Sequence, residues 1–228
     1  MAVRKKATAM TVAEQNRYLN VVTQLINGPG NRYGNLVAVH ADMSHNVHGS
    51  MGQIGEQRFL SWHRVSLLRM GEMMQAIDPL CFIPYWKFTA QREIPPWIAN
   101  FMPLINVPGI GPIQVRRNPA PPPPLPSLNS VLQTMSNTTY TSFTSDLEED
   151  HNSVHGWVGR TMNNIAISPA DPVFWLVHAA IDRLWSIWQS SNPGLNPTLS
   201  GVNRTMDPWS ETATGVRDIA ALGYSYGP

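Results

Sequence analysis

The residues predict a mainly α protein, an antiparallel helical bundle with long, Pro-rich irregular loops and minimal β-strand. Three observations lead there: capping signals precede apolar residues at helical spacing, Pro and Gly close those segments, and both histidine clusters fall inside predicted helices. Thr11-Val12-Ala13-Glu14 reads as a capping box, with Tyr18, Val22, Leu25 and Ile26 at core spacing and Gly28-Pro29 as the stop. A second helix is expected from Tyr33 to Ser44 and a third from Arg58 to Ile77, where Asp78-Pro79 ends an apolar stripe of Phe59, Trp62, Met70, Met73 and Ile77. From Leu80 to Pro126 repeated prolines predict a surface excursion packed by Phe82, Tyr85, Trp86 and Trp97, with Asn118 to Pro126 extended. Ser145-Asp146-Leu147-Glu148 reads as another capping box, opening a helix to Val158. Asp171 as N-cap and Pro172 at the first helical position open a last long helix through Trp185 to Gln189, followed by a Gly/Pro/Asn-rich tail.

With 228 residues, 43% of them apolar, the chain is long enough to bury a core, and a single domain over 1–228 is expected. A net charge of +1 offers no extended field for phosphate backbones, which argues against a nucleic-acid partner. No apolar run approaches the ~18 residues of a spanning helix, so no membrane association is expected. The basic N-terminus lacks a following apolar stretch, so no secretory signal is read and a cytoplasmic location is expected, although export with a partner would leave no mark. Cys81 stands alone, which excludes an internal disulfide and Cys-rich metal patterns; imidazole must carry any transition-metal chemistry.

The seven histidines are His40, His45, His48 and His63 near the start and His151, His155 and His178 past the middle. His151 and His155, at i and i+4, share a helical face, while His178 arrives from another helix. Burying several imidazoles without partners is costly, which favours ligation over simple packing. Each ligand also needs an acceptor for its second nitrogen. Asp182, four residues after His178, can fill that role or pair with Arg183 or another base. All-imidazole sites suit copper, zinc, iron or nickel, with Cu(II) bound most tightly, and spacing alone does not choose.

The run His151-Asn152-Ser153-Val154-His155-Gly156-Trp157-Val158-Gly159, then Asp171-Pro172-Val173-Phe174-Trp175, His178 and Asp182-Arg183-Leu184-Trp185, resembles the CuB half of the tyrosinase and catechol oxidase family. Phe59-Leu60-Ser61-Trp62-His63-Arg64 resembles its CuA signature, Pro84-Tyr85-Trp86 a core motif between the halves, and Tyr224-Ser225-Tyr226 with Arg4 its closing tyrosine motif and the arginine that packs on it. The resemblance implies two copper ions, each held by three imidazoles, with O2 bound between them as peroxide. It assigns His151, His155 and His178 to one copper and His40, His48 and His63 to the other, with His45 as the alternative to His48. Fourteen residues separate His48 from His63 where eight are usual. Phe59 and Asp182 are expected to support the ligands from behind. Lys87 departs from the family's Asp, and Cys81, outside the histidine loop, reads as a packing residue.

The activity implied is ortho-hydroxylation of monophenols and oxidation of o-diphenols to o-quinones, with phenolic small molecules and O2 as partners. Catechol oxidation alone, o-aminophenol oxidation, a haemocyanin-like O2 carrier and a structural zinc protein are the alternatives. Glu148 and Asn152 lie on one helical face with His151, so carboxylate and amide can hold a water that acts as base toward a phenol, as family members active on monophenols do. Glu148 otherwise serves only as the third helical residue of its capping box. Ile165 falls at the family's gate position above CuB, and Gly156 removes a side chain from a second entrance position; the alternative for both is ordinary helix-end packing. The chain's end at Pro228 resembles a short bacterial-type form without a C-terminal lid domain. It is expected to be active once copper is loaded, with a copper-delivery or guarding partner as the protein partner envisaged.

Overall fold

The computed structural model describes residues 2–120 and 123–227, so Pro121 and Pro122 of the run expected to be extended lie outside the described residues. Helix α1 (Val12–Asn27) opens as expected: the Glu14 N–H donates to Thr11 Oγ1 at 3.2 Å and the Thr11 N–H to the Glu14 carboxylate at 2.8 Å. Helix α2 (Arg32–Ala41) stops three residues short of the expected Ser44. The Asp42 carboxylate accepts the Ser44 N–H and hydroxyl at 3.0 and 2.6 Å, which turns the chain into a 3-10 turn, Met43–His45. Asn46 then takes a left-handed φ of 50°. Helix α3 (Gln53–Gln75) begins five residues before the expected Arg58 and takes up part of the long spacer between His48 and His63.

The excursion after Leu80 is largely irregular, but it contains the short helix α4 (Pro96–Ala99) and an antiparallel hairpin, β2 (Leu104–Val107) with β3 (Gly111–Gln114), turned at Gly109 with φ +77°. Tyr85 and Trp86 are buried beneath it as expected, and so is Cys81, whose thiol burial pushes up to about 12. Arg117 clamps the excursion to the chain before the last helix: it meets Asp171 in two 2.7 Å contacts and donates to the carbonyls of Ile98, Ala99 and Phe101.

Helix α5 (Leu128–Met135) was not expected; Ser127 caps it by accepting the Ser130 N–H at 3.0 Å. Helix α6 (Tyr140–Val158) starts at Thr139, which accepts the Ser142 N–H. Ser145 and Glu148 therefore lie inside the helix, and the expected capping box there does not exist. Helix α7 (Val173–Ser191) begins after Pro172, with the Asp171 carboxylate accepting the Val173 N–H at 2.9 Å.

Helices α3, α6 and α7 pack against one another at the centre, around buried Phe59, Val154, Phe174 and Trp185. No helix of the described residues is long and apolar enough to cross a membrane. At the periphery β1 (Ala2–Arg4) pairs in parallel with β4 (Tyr224–Tyr226), Arg4 opposite Tyr226. Arg4 lies 3.7 Å above the Tyr224 ring, as the arginine-and-tyrosine resemblance implied. Both ends converge on buried Asp182. Its carboxylate accepts from Arg64 Nε at 2.5 Å, Tyr226 Oη at 2.5 Å, Tyr224 Oη at 2.8 Å and Arg4 Nη1 at 3.4 Å. Burial alone would raise this carboxyl, yet Arg64 and Arg4 outweigh it and hold Asp182 below its ordinary range.

Asp182→Ala would leave two buried arginines without their counter-charge, so urea unfolding should show a loss of about 3–5 kcal/mol. A loss under about 1 kcal/mol, the scale of an exposed pair, would contradict this reading.

Candidate metal centre

Six of the seven histidines meet in two buried triads. In each of them one nitrogen per ring lies within 4.8 Å of the other two: His40, His48 and His63 in one, His151, His155 and His178 in the other. Helix α2 supplies His40, α3 supplies His63, α6 supplies His151 and His155, and α7 supplies His178. His48 comes from the loop, in extended conformation ahead of the 3-10 turn Gly49–Met51. Gly55 lets α3 close against that loop, since a Cβ there would sit 2.0 Å from the His48 carbonyl oxygen. The triads adjoin, with the His63 and His178 rings stacked at 4.4 Å.

His45, the alternative to His48, is elsewhere. Its Nδ1 meets Asp207 at 2.5 Å while its ring lies beside Trp62. The end of α2 at Ala41 and the left-handed Asn46 keep His45 and His48 off one continuous helix, so the two rings diverge.

The outward nitrogens set the tautomers. His63 Nδ1 donates to the Phe59 carbonyl at 2.8 Å, His155 Nδ1 to the Met162 carbonyl at 2.7 Å and His151 Nδ1 to Asn152 Oδ1 at 3.1 Å. A proton on each Nδ1 leaves the Nε2 lone pair pointing inward. His151 Nε2 and His178 Nε2 face each other at 2.9 Å; His40 Nε2 lies 3.3 Å from His48 Nε2 and 3.4 Å from His63 Nε2. His155 Nε2 is buried with no hydrogen-bond partner among the described residues. Converging lone pairs in a dry interior repel unless a cation lies between them, and protonation is disfavoured: burial foremost, then mutual repulsion, holds His40, His63, His151 and His178 well below the ordinary imidazole range. Burial brings His155 to about 4. The donor set therefore fits two transition-metal ions of the copper type.

Phe59 supports the centre as expected, through its carbonyl and through its ring, 4.9 Å from His63 and 5.0 Å from His151. Asp182 does not support His178, whose Nδ1 has no hydrogen-bond partner among the described residues; the carboxylate is taken up by Arg64, Arg4 and the two tyrosines. Phe174, part of the Asp-Pro-Val-Phe-Trp motif but not singled out from it, stacks on His178 at 3.9 Å and packs edge-on to His40 and His155. Its position four residues before His178, on the same face of α7, was the available signal.

Glu148 reaches across from α6 to the histidine loop, accepting the Gly49 N–H at 2.9 and 3.0 Å, with one oxygen 3.4 Å from His48 Nδ1. Glu148 and Asn152 line one cavity of about 390 Å³ together with Gly49, Glu56, Ser145 and Glu149. Ile165 is exposed on the turn that follows Met162, whose carbonyl meets His155, and its neighbour Ala166 lies beside His40. Gly156 does not open an entrance. A Cβ there would lie 3.0 Å from Pro123 Cδ, and the proline-rich segment occupies that space.

The family model for the common central domain of tyrosinase matches residues 30–108 and 109–191. A tyrosinase of Streptomyces antibioticus is 30% identical over 93% of this chain and 94% of its own length. In fold, a functional unit of octopus hemocyanin superposes with a TM-score of 0.80 at 19% identity, covering 100% of this chain and 68% of that one. Recombinant mushroom tyrosinase gives 0.71 at 20% identity, covering 99% and 61%.

The depressed imidazoles carry a sign. An unfolded histidine takes its proton near 6.5, so between there and the lower folded values the unfolded chain binds more protons, and metal-free protein loses stability as pH falls. His155 alone should remove on the order of 1 kcal/mol at pH 5.5. Urea midpoints of chelator-treated protein should fall between pH 7.5 and 5.5; unchanged midpoints would mean that the folded triads accept protons freely.

Proposed function

The chain belongs to the tyrosinase family of type 3 copper oxidases, and on that premise we propose that it hydroxylates monophenols ortho to their hydroxyl and oxidises o-diphenols to o-quinones. His40, His48 and His63 would hold one copper and His151, His155 and His178 the other. The metal pair would supply O2 binding and two-electron redox chemistry. Overall, a monophenol and O2 give an o-quinone and water, and two o-diphenols and O2 give two o-quinones and two waters.

What the protein adds is position and a proton acceptor. Phe59 and Phe174 pack apolar rings against His151 and His178 and hold these imidazoles in place. The observation that carries the monophenol reading is the placement of Glu148 and Asn152. Both line one cavity, and from its wall Glu148 lies beside His48 and Asn152 against His151. A carboxylate accepts about four hydrogen bonds, so the Gly49 N–H leaves Glu148 capacity to hold a water in that cavity. Such a water can take the phenol's proton, a role typically worth 10²–10⁴-fold. An o-diphenol, more acidic and already oxygenated, depends on it less.

Glu148→Gln keeps an acceptor for Gly49 while removing the base. Hydroxylation of p-cresol should fall at least about 10²-fold, whereas 4-methylcatechol oxidation should change only a few-fold. Equal losses would reduce Glu148 to a strut for the His48 loop. Wild-type enzyme that oxidises the catechol but never the cresol would be a catechol oxidase, and reversible O2 binding without turnover of either would mark a carrier.

A further inference from the structure

The cavity beside Glu148 and Asn152 has a chemistry of its own. One wall is a single face of α6, where Ser145, Glu148, Glu149 and Asn152 stand at i, i+3, i+4 and i+7. The other is the Gly49 turn and the first helical turn of α3, with Glu56. Three carboxylates line it, and no lysine, arginine or histidine does. Glu148 is engaged with Gly49 and faces His48, whereas the side chains of Glu56 and Glu149 have no hydrogen-bond or ion-pair partner among the described residues. Glu149 is exposed and Glu56 half-buried. Beyond Asn152 the same helical face carries Gly156, which brings no cation and is covered by Pro123.

We propose, on the premise that phenols enter here, that this cavity selects phenols whose para substituent is positively charged, with Glu149 the main specificity-determining residue and Glu56 its helper. The ring hydroxyl has to point inward, to the triads beside Glu148 and Asn152. The para substituent is diametrically opposite on the ring and so points outward along the α6 face, to the rim where Glu149 stands one turn from Asn152. An ammonium tail meets free carboxylates there; a carboxylate tail meets like charge in a groove that focuses the field. Glu56 lies in the first turn of α3, whose partly positive N-terminus it already offsets, and this leaves Glu149 the larger share.

The test compares tyramine, 3-(4-hydroxyphenyl)propionate and neutral p-cresol with the copper-loaded enzyme at low ionic strength. Each carboxylate near a tail is worth about 1 kcal/mol at 4 Å in water, roughly fivefold, so kcat/KM for tyramine should exceed that for the acid by at least about tenfold and the gap should narrow in high salt. Glu149→Gln should shrink the ratio several-fold, Glu149→Lys should bring it to unity or invert it, and p-cresol turnover should stay unchanged in both. A wild-type ratio near one, or a ratio unmoved in the Glu56→Gln/Glu149→Gln double variant, would overturn the inference while p-cresol turnover left the phenol-oxidising reading standing. No turnover of p-cresol or of 4-methylcatechol would overturn both.

Discussion

Six imidazoles with inward lone pairs, buried where water cannot separate them, are the constraint around which this molecule is built. Such groups are costly to bury and costlier still to bring within 2.9–3.4 Å of one another. The arrangement is sustained by outward hydrogen bonds that fix three tautomers and by aromatic rings packed against the imidazoles, and bound copper ions would relieve the repulsion among the inward nitrogens. Four helices and one loop supply the ligands, so the centre in turn ties together chain segments far apart in sequence.

Buried charges do the complementary work behind the centre. Arg64 follows His63 directly, and Asp182 stands one helical turn after His178; their contact joins α3 to α7 just behind a ligand of each triad. Arg64 also lies 3.6 Å over the Trp185 ring, and Arg4 with the two tyrosines adds the chain ends to the same carboxylate. Arg117 and Asp171 repeat the device at the start of α7, where they fasten the long excursion. Isolated, each of these ions would be prohibitive; paired and hydrogen-bonded, they hold the ligand helices in one relation.

Much of this was legible in the residues, for physical reasons. The capping box at Thr11, the Asp171-Pro172 helix start and the His151/His155 face depend on contacts within one or two turns, which local patterns encode. The family resemblance placed the remaining ligands. What failed was decided by tertiary contacts. Ser145 and Glu148 have the letters of a capping box, but Thr139 had already opened the helix, which freed Glu148 to bridge to Gly49. The choice of His48 over His45, which the family resemblance made correctly, is set by a local break at Asp42 and a left-handed Asn46. Asp182 sits at the right spacing to support His178, yet it faces Arg64, whose approach from α3 no local pattern announces. Gly156 looked like an opening only because Pro123 is more than thirty residues away in the chain.

The most direct measurement is the copper content of loaded, desalted protein and of two single variants. Two coppers per chain are predicted for the wild type and for His45→Ala, with about one in His48→Ala, whose ring completes the first triad. One copper or none in the wild type, or loss of copper in His45→Ala with His48→Ala unaffected, would contradict the assignment of the two triads.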